Sequence, residues 1–242
     1  MTQNIYDTPD FFEGYSQMAR SVEGLNGAPE WPALQALLPP MSGLNVVDLG
    51  CGYGWFSRWA QEHGAEQVLG LDVSQKMLAR AAETTSSTAI TYAISDLEQL
   101  DLPALSFDLA YSSLAFHYVV DLKSLFSRIY DALVVGGRLV FSIEHPIFMA
   151  PREPGWLIDD QGHKSWPVND YQLEGPRVTD WLAPGVIKQH RTVGTLLNLL
   201  IQAGFTLRHV EEWGPSAADL RARPELADEL ERPMMLLVAA QR

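Results

Sequence analysis

Three glycines crowd the segment VVDLGCGYGWFS, where Gly50, Gly52 and Gly54 alternate with other residues behind an apolar run and Asp48 stands just ahead of them. Residues without a β-carbon let a backbone turn sharply and approach a ligand closely. The helix that starts here would add free amides at its first turn. Carboxylates then follow two later apolar runs, Asp72 after QVLGL and Asp96 after ITYAIS. A dinucleotide is one ligand to weigh, but its usual fingerprint is G-x-G-x-x-G with an acid further on. Here the order is G-x-G-x-G, and the acid at Asp48 sits poorly beside a pyrophosphate. It suits a ligand bearing an ammonium and a sulfonium. A tight strand-to-helix turn with no ligand is the plainer alternative, and the two later acids weigh against it.

Three histidines fall where a substrate would be met: His117, His145 and His190. A positioned histidine is the commonest general base, and His117 and His145 are the first candidates. A histidine satisfying a loop carbonyl is the competing reading of each. His63 and His209 fall on a helix end and a late strand, where no role is expected. No close-spaced cysteine or carboxylate set joins the histidines, so no metal site is expected. Cys51 is the single cysteine, which excludes an internal disulfide and fits a reducing compartment. It is not read as a nucleophile.

The elements that position these residues follow from periodicity. LNVVDL reads as a buried strand, residues 55–63 as a helix closed by Gly64, and QVLGLD as a second strand. Ser74 opens a helix to about Ala82, ITYAISD is a third strand and FDLAYSS a fourth. Asp121 caps a helix whose Leu122, Leu125, Phe126, Ile129 and Leu133 form one stripe, with Gly136 and Gly137 expected to stop it. RLVFSIE is a fifth strand, Thr192 starts another helix, and FTLRHVEEW and MMLLVAAQR are the last two strands. Alternation of this kind predicts an α/β fold, a doubly wound and mostly parallel sheet with helices on both faces. Ligands then bind at the carboxyl ends of the strands. Gly50, Asp72, Asp96, Ser113 and Glu144 all fall at or just after those ends.

Ahead of the first strand, Phe11, Tyr15, Met18 and Val22 recur at helical spacing behind Asp10, read as the cap, and a second short helix starts near Pro32. Residues 145–190 break the rhythm and carry Trp156, Trp166, Trp181 and Tyr171. They read as an insertion over the site, a substrate lid, with a dimer contact or a satellite core as the alternatives for its tryptophans.

The 242 residues, 47% hydrophobic, are ample for one sizeable core, and one domain is expected. No basic leader with an apolar run and no apolar stretch of bilayer length is present, so a cytoplasmic protein is expected. Thirty acidic residues against 17 basic ones give a formal charge of -13. That balance disfavours nucleic acid and anionic membrane and favours a small-molecule partner; a homodimer stays open.

Taken together, VVDLGCGYGWFS, VLGLDVSQKML, ISDLEQL and FDLAYSSLAFHYVVDL resemble the class I S-adenosylmethionine-dependent methyltransferases of the small-molecule "type 11" kind. The resemblance spans roughly residues 44–144 and the terminal strands. It implies a Rossmann-like sheet of seven strands with the last antiparallel, and S-adenosylmethionine as cofactor. It places the methionine moiety over Gly50, Cys51, Gly52 and Gly54, with Ser112 and Ser113 lining that end. Asp72 would hold the ribose hydroxyls, Val73 and Met77 would flank the adenine, Asp96 would accept from its exocyclic amine, and Leu97 would offer its amide. The N-terminal segment, residues 1–40, would form a helical cap in which Tyr6, Phe11, Tyr15 and Arg20 close the site, Tyr15 or Arg20 near the methionine carboxylate. Simple turn caps at Asp72 and Asp96, and a core role for Met77 and the N-terminal aromatics, are the alternatives. For function the expectation is methyl transfer to a small acceptor by in-line displacement, against a cofactor-binding module that has lost transfer activity or a dinucleotide oxidoreductase.

Overall fold

The computed structural model describes residues 3–242. The chain enters through α1 (Pro9–Ser16), α2 (Ala19–Val22) and α3 (Trp31–Leu37). The alternating unit then runs β1 (Asn45–Leu49), α4 (Trp55–Glu62), β2 (Gln67–Asp72), α5 (Gln75–Glu83), β3 (Ile90–Ile94), β4 (Phe107–Ser113), α6 (Leu122–Ala132) and β5 (Leu133–Glu144). A short α7 (Pro146–Met149) leads to two hairpins, β6 (Leu157–Ile158) with β7 (Lys164–Ser165), and β8 (Gly175–Thr179) with β9 (Val186–His190). α8 (Val193–Gln202), β10 (Thr206–Glu212), α9 (Ala217–Ala222) and β11 (Met235–Gln241) complete it.

The main sheet has seven strands in the order β10-β11-β5-β4-β1-β2-β3. The last strand, β11, is antiparallel to both neighbours, β5 and β10, while β5, β4, β1, β2 and β3 pair in parallel. Strands buried on both faces explain the near-continuous apolar runs that the sequence shows. Alternation splits each strand between two cores. Val47, Leu49, Ala110 and Phe141 pack with α6 and α8, whereas Val46, Leu109, Tyr111 and Val140 pack with α3 and α4. Among the described residues no helix is long and apolar enough to cross a membrane.

Three local expectations differ. The N-terminal helix is two helices, because Met18 turns extended between them (φ -66, ψ 147). Asp10 does not cap it: Pro9, whose fixed φ suits a first turn, starts α1 after Thr8. Gly136 and Gly137 do not stop α6, which ends at Ala132 where buried Leu133 turns extended to pair with Phe107; both glycines lie inside β5.

Candidate functional site

The carboxyl ends of β1, β2, β4 and β5 open onto one cavity of about 740 Å³. Gly50, Gly52, Asp72, Val73, Met77, Asp96, Leu97 and Ser113 wall one half of it, with Tyr15 and Arg20 reaching in from the N-terminal helices. His117, Tyr118, Glu144, Met149, Trp181 and Lys188 wall the other half.

The glycine turn is shaped for contact. Gly50 (φ +76) passes so close to Ala115 that a Cβ would lie 2.5 Å from that side chain, while a Cβ on Gly52 (φ +52) would meet nothing within 4 Å. Gly54 (φ +69) has a different reason: a Cβ there would strike the Tyr92 hydroxyl at 2.1 Å. The amides of this turn are already taken. Gly50 and Cys51 both donate to the Leu71 carbonyl, Gly52 donates to Asp72 Oδ2 at 2.9 Å, and Gly54 donates to the Cys51 carbonyl. These amides cannot cradle a phosphate, which removes the feature a pyrophosphate requires.

Asp72, at the end of β2, accepts from Gly52 N and from Ser74 N, each at 2.9 Å. Burial raises its pKa, against which those amides work. The two amides fix the plane of a carboxylate that can still accept from donors in the cavity. Below the turn, burial pushes Asp48 up to about 7 despite the bond it accepts from Ser57 Oγ at 2.7 Å. Asp48 and Cys51 border a smaller recess that continues from the main cavity past Tyr15, Arg20, Gly50 and Gly52. Arg20 donates to Glu30 Oε1 at 3.0 Å, and Glu30 is fully buried. A nucleoside bearing an amino-acid tail fits this donor and acceptor set: a fixed carboxylate at a strand end, open space over Gly52, and a recess holding an arginine and a buried acid.

The N-terminal segment is pinned over the cavity by Asp7. Its Oδ1 accepts from Ser74 Oγ at 2.5 Å and Lys76 N at 3.1 Å, so an outside carboxylate caps α5 together with Ser74. Burial works against the charge, but these bonds hold the carboxyl below its usual range. Tyr6 is thereby set 4.7 Å from the Phe11 ring and 3.2 Å, hydroxyl to hydroxyl, from Tyr118. Phe11 is fully buried behind the wall and packs on Trp181. Gln3 bridges to the edge of β9, donating to the Gly185 carbonyl and accepting from Ile187 N. The first helices and the insertion meet above the cavity.

Several expected site residues lie elsewhere. Ser112 is buried and donates to the Leu49 carbonyl at 2.7 Å, so Ser113, not Ser112, faces the cavity. Cys51 borders the recess, and burial raises its thiol pKa well above the ordinary value. His145 points away: its Nδ1 accepts from Ile147 N at 3.0 Å, capping α7, and its Nε2 lies 2.9 Å from Glu212 Oε1. Both ring nitrogens have protein partners outside the cavity, so His145 is not placed to meet a substrate. His190 is likewise buried and turned to the Tyr171 carbonyl. The tryptophans divide, since Trp181 lines the cavity while Trp156 and Trp166 stack around Arg232 with Phe148. The sequence reading missed Asp7, Lys188 and Tyr118, and it noted Glu144 only as a strand end. No local pattern marks Asp7, which lies 67 residues ahead of the Ser74 it meets, and Lys188 shows only as a cation that follows Val186 and Ile187 in a hairpin strand.

Comparison with known proteins gives the fold a family. The family model described as "Methyltransferase domain" matches residues 47–141. An S-adenosylmethionine-dependent methyltransferase of known structure from Mesorhizobium loti is 62% identical, with a TM-score of 0.88 over 90% of this chain and 100% of that one. A Haemophilus influenzae protein of uncharacterized function is 34% identical, covering 99% of this chain and 97% of its own length. The malonyl-[acyl-carrier protein] O-methyltransferase of Enterobacter lignolyticus is 34% identical over 54% of this chain and about half, 51%, of its own length.

Proposed function

Because the chain belongs to the S-adenosylmethionine-dependent methyltransferases, we propose that it methylates a small molecule held in the half of the cavity walled by His117, Tyr118, Glu144, Trp181 and Lys188. One observation carries this reading: the wall containing Asp72 and Gly52 and the wall containing Glu144 and Lys188 enclose the same space, of about 740 Å³. That volume falls within the range of small-ligand pockets. The acidic balance of the chain argues in the same direction.

In this reading Asp72 accepts from the two ribose hydroxyls, Asp96 and the Leu97 amide read the adenine edge, and Val73 and Met77 hold its faces. Arg20 and Tyr15 meet the carboxylate of the amino-acid tail, and Gly52 leaves room for the chain above it. Bound S-adenosylmethionine supplies an electrophilic methyl group on a sulfonium. The protein's part is placement: displacement needs the attacking atom in line with the departing sulfur, so fixing both partners and excluding water lowers the barrier. Of the cap expected over residues 1–40, residues 1 and 2 lie outside the described residues; residues 3–40 act here as cap and residues 145–190 as lid, with Tyr6, Phe11 and Trp181 forming their shared seam.

Incubating the purified protein with methyl-labelled S-adenosylmethionine and a pool of small metabolites tests this. Label should move to a small product. Tight binding of S-adenosylhomocysteine without transfer to any acceptor would instead favour a binding module. A calorimetric preference for reduced nicotinamide cofactor would return the oxidoreductase alternative.

A further inference from the structure

The acceptor half of the cavity contains an ion pair that placement alone leaves without a task. Glu144 ends β5 and Lys188 lies within β9; their side chains are only 14% and 5% exposed, and Lys188 Nζ donates to Glu144 Oε1. The same ammonium lies 4.8 Å from the centroid of the Trp181 ring. The second carboxylate oxygen, Oε2, has no hydrogen-bond partner among the described residues, and Glu144 borders the cavity. A carboxylate with one oxygen pinned by Lys188 and the other open to the cavity is placed to accept from a ligand's donor.

The groups facing Glu144 are few. Lys188 approaches from β9, and His117 and Tyr118 from the turn after β4, with Tyr6 of the N-terminal segment behind Tyr118. On β11 its register partner is Met235, which carries no charge. His117 is the obvious competitor for a proton. Its Nδ1 accepts from Glu144 N at 3.5 Å, which leaves the proton on Nε2, 3.9 Å from Glu144 Oε1. Burial first, and Lys188 second, hold the imidazole well below its ordinary pKa. An imidazole kept neutral in this way is a poor proton acceptor, and its geometry supports Glu144 from behind.

We propose that Glu144 Oε2 is the general base for a neutral hydroxyl acceptor, a phenol or an enol, and that Lys188 balances the oxyanion character that develops beside it. This deepens the small-molecule reading above and rests on it. In the step, a lone pair of the acceptor oxygen forms the new carbon–oxygen bond as the methyl–sulfur bond breaks, its electron pair staying on sulfur. The hydroxyl proton passes to Glu144 Oε2 and from there to solvent after product leaves. The class follows from the charges. Paired, Lys188 and Glu144 carry no net charge, so neither an ammonium nor a carboxylate acceptor would find an uncompensated counter-charge here, and a neutral hydroxyl suits the site. Tyr6, Tyr118 and Trp181 give flat aromatic walls suited to a planar guest.

The test offers the full-length protein and labelled S-adenosylmethionine four sets of small acceptors: phenols and enols, carboxylates, primary amines, and thiols. Transfer to the first set is expected. Glu144→Gln should lower kcat by roughly 10² to 10⁴, the usual scale for removing a general base. Affinity for S-adenosylhomocysteine, measured by calorimetry, should stay within about threefold. The wild-type kcat/KM should fall towards acid as Glu144 protonates, a limb absent in Glu144→Gln. Lys188→Met should move that limb to higher pH, because the positive charge that favours the ionised carboxyl is gone. Glu144→Gln also strands a buried ammonium, so the double variant with Lys188→Met, which removes both charges, guards against simple misfolding. Transfer confined to amines, carboxylates or thiols overturns the proposal. So does hydroxyl transfer that survives Glu144→Gln in a folded protein, or an acid limb that disappears in His117→Asn but persists in Glu144→Gln. An absence of transfer to every small acceptor, with S-adenosylhomocysteine still bound, would overturn the small-molecule reading as well.

Discussion

Asp72 and Glu144 both close parallel strands of one sheet and border one cavity, yet they are held in different ways. Asp72 is fixed by two amides of its own neighbourhood, Ser74 N in the turn it begins and Gly52 N in the turn of the adjacent strand. Glu144 is held by Lys188, 44 residues further along, from a hairpin outside the main sheet. The half proposed for the cofactor is therefore built from short turns that the sheet itself brings together. The half proposed for the acceptor depends on how residues 145–190 dock. A scaffold of this kind can keep one ligand constant and vary the other by changing its insertion, because the two supports come from different segments of the chain.

The largest effect expected within the cofactor half comes from Asp48. Its folded pKa is about 7, above the 3.8 of a free side chain. Below pH 4 the group is protonated in folded and unfolded chains alike and costs nothing. As pH rises the unfolded chain ionises first, so the folded state loses stability until pH 7, by on the order of 4 kcal/mol. Asp48→Asn should remove this loss: chemical denaturation of variant and wild type should agree near pH 4 and diverge in the variant's favour by pH 8. Parallel curves would show that Asp48 is solvated or ionised in the fold. The variant should also bind S-adenosylmethionine more weakly, since the buried acid beside the recess is then unable to meet an ammonium.

Arg177 makes the corresponding test in the acceptor half. It is buried, and donates to the carbonyls of Ala150 at 2.8 Å, Leu173 at 2.8 Å, Asp170 at 3.2 Å and Pro176 at 3.4 Å, so one guanidinium ties the start of the insertion to its middle. Arg177→Met leaves four carbonyls without this donor, a loss of about 3 kcal/mol. Hydrogen exchange should quicken across residues 145–190 while the amides of β1, β2 and β4 stay protected, and acceptor KM should rise without a change in S-adenosylhomocysteine affinity. Equal loosening of the sheet would show that the two halves form one cooperative unit, and the contrast between them would fail.

Asp72→Ala should weaken S-adenosylhomocysteine binding by about 1 to 3 kcal/mol, the scale for charged hydrogen bonds. Unchanged affinity in a folded variant would contradict the ribose role. The acceptor KM extrapolated to saturating cofactor should hold steady, which sharpens the separation.

This difference also decides what could be read from sequence. The strand ends, Ser74 and Asp121 as helix caps, and the glycine turn are set by residues within a few positions of one another, and each shows in the local pattern. The places of Asp72, Asp96 and Ser113 on the cavity wall were legible for that reason. Glu144 was visible as a strand end, but nothing local marks Lys188 as its partner, because the pairing depends on how the β8–β9 hairpin lies over the sheet. His145 misled for a related reason: its position after β5 is that of a site residue, yet its ring turns to cap α7 and to meet Glu212 on β10. The glycine turn itself was legible, but not that its amides are bonded within the protein, Leu71 on β2 accepting two.

Asp7 belongs to neither half by sequence and joins them in space, so it gives the finest test of the comparison. Its carboxylate caps α5, next to Asp72, and by that contact sets Tyr6 against Tyr118 on the acceptor side. Asp7→Ala removes an external cap and should cost about 1 kcal/mol of stability. The folded pKa is depressed, so the contribution is present at neutral pH and is lost as pH falls below the ordinary carboxylate range. Wild type and variant should therefore converge in acid, the reverse of the Asp48 pair. Losing the anchor frees Tyr6 from both walls at once. S-adenosylhomocysteine affinity and acceptor KM should then worsen together, by severalfold each, where Arg177→Met and Asp72→Ala each move one and spare the other. If only cofactor affinity changed, the N-terminal segment would belong to the cofactor half alone, and the Tyr6–Tyr118 contact would have no part in holding the acceptor.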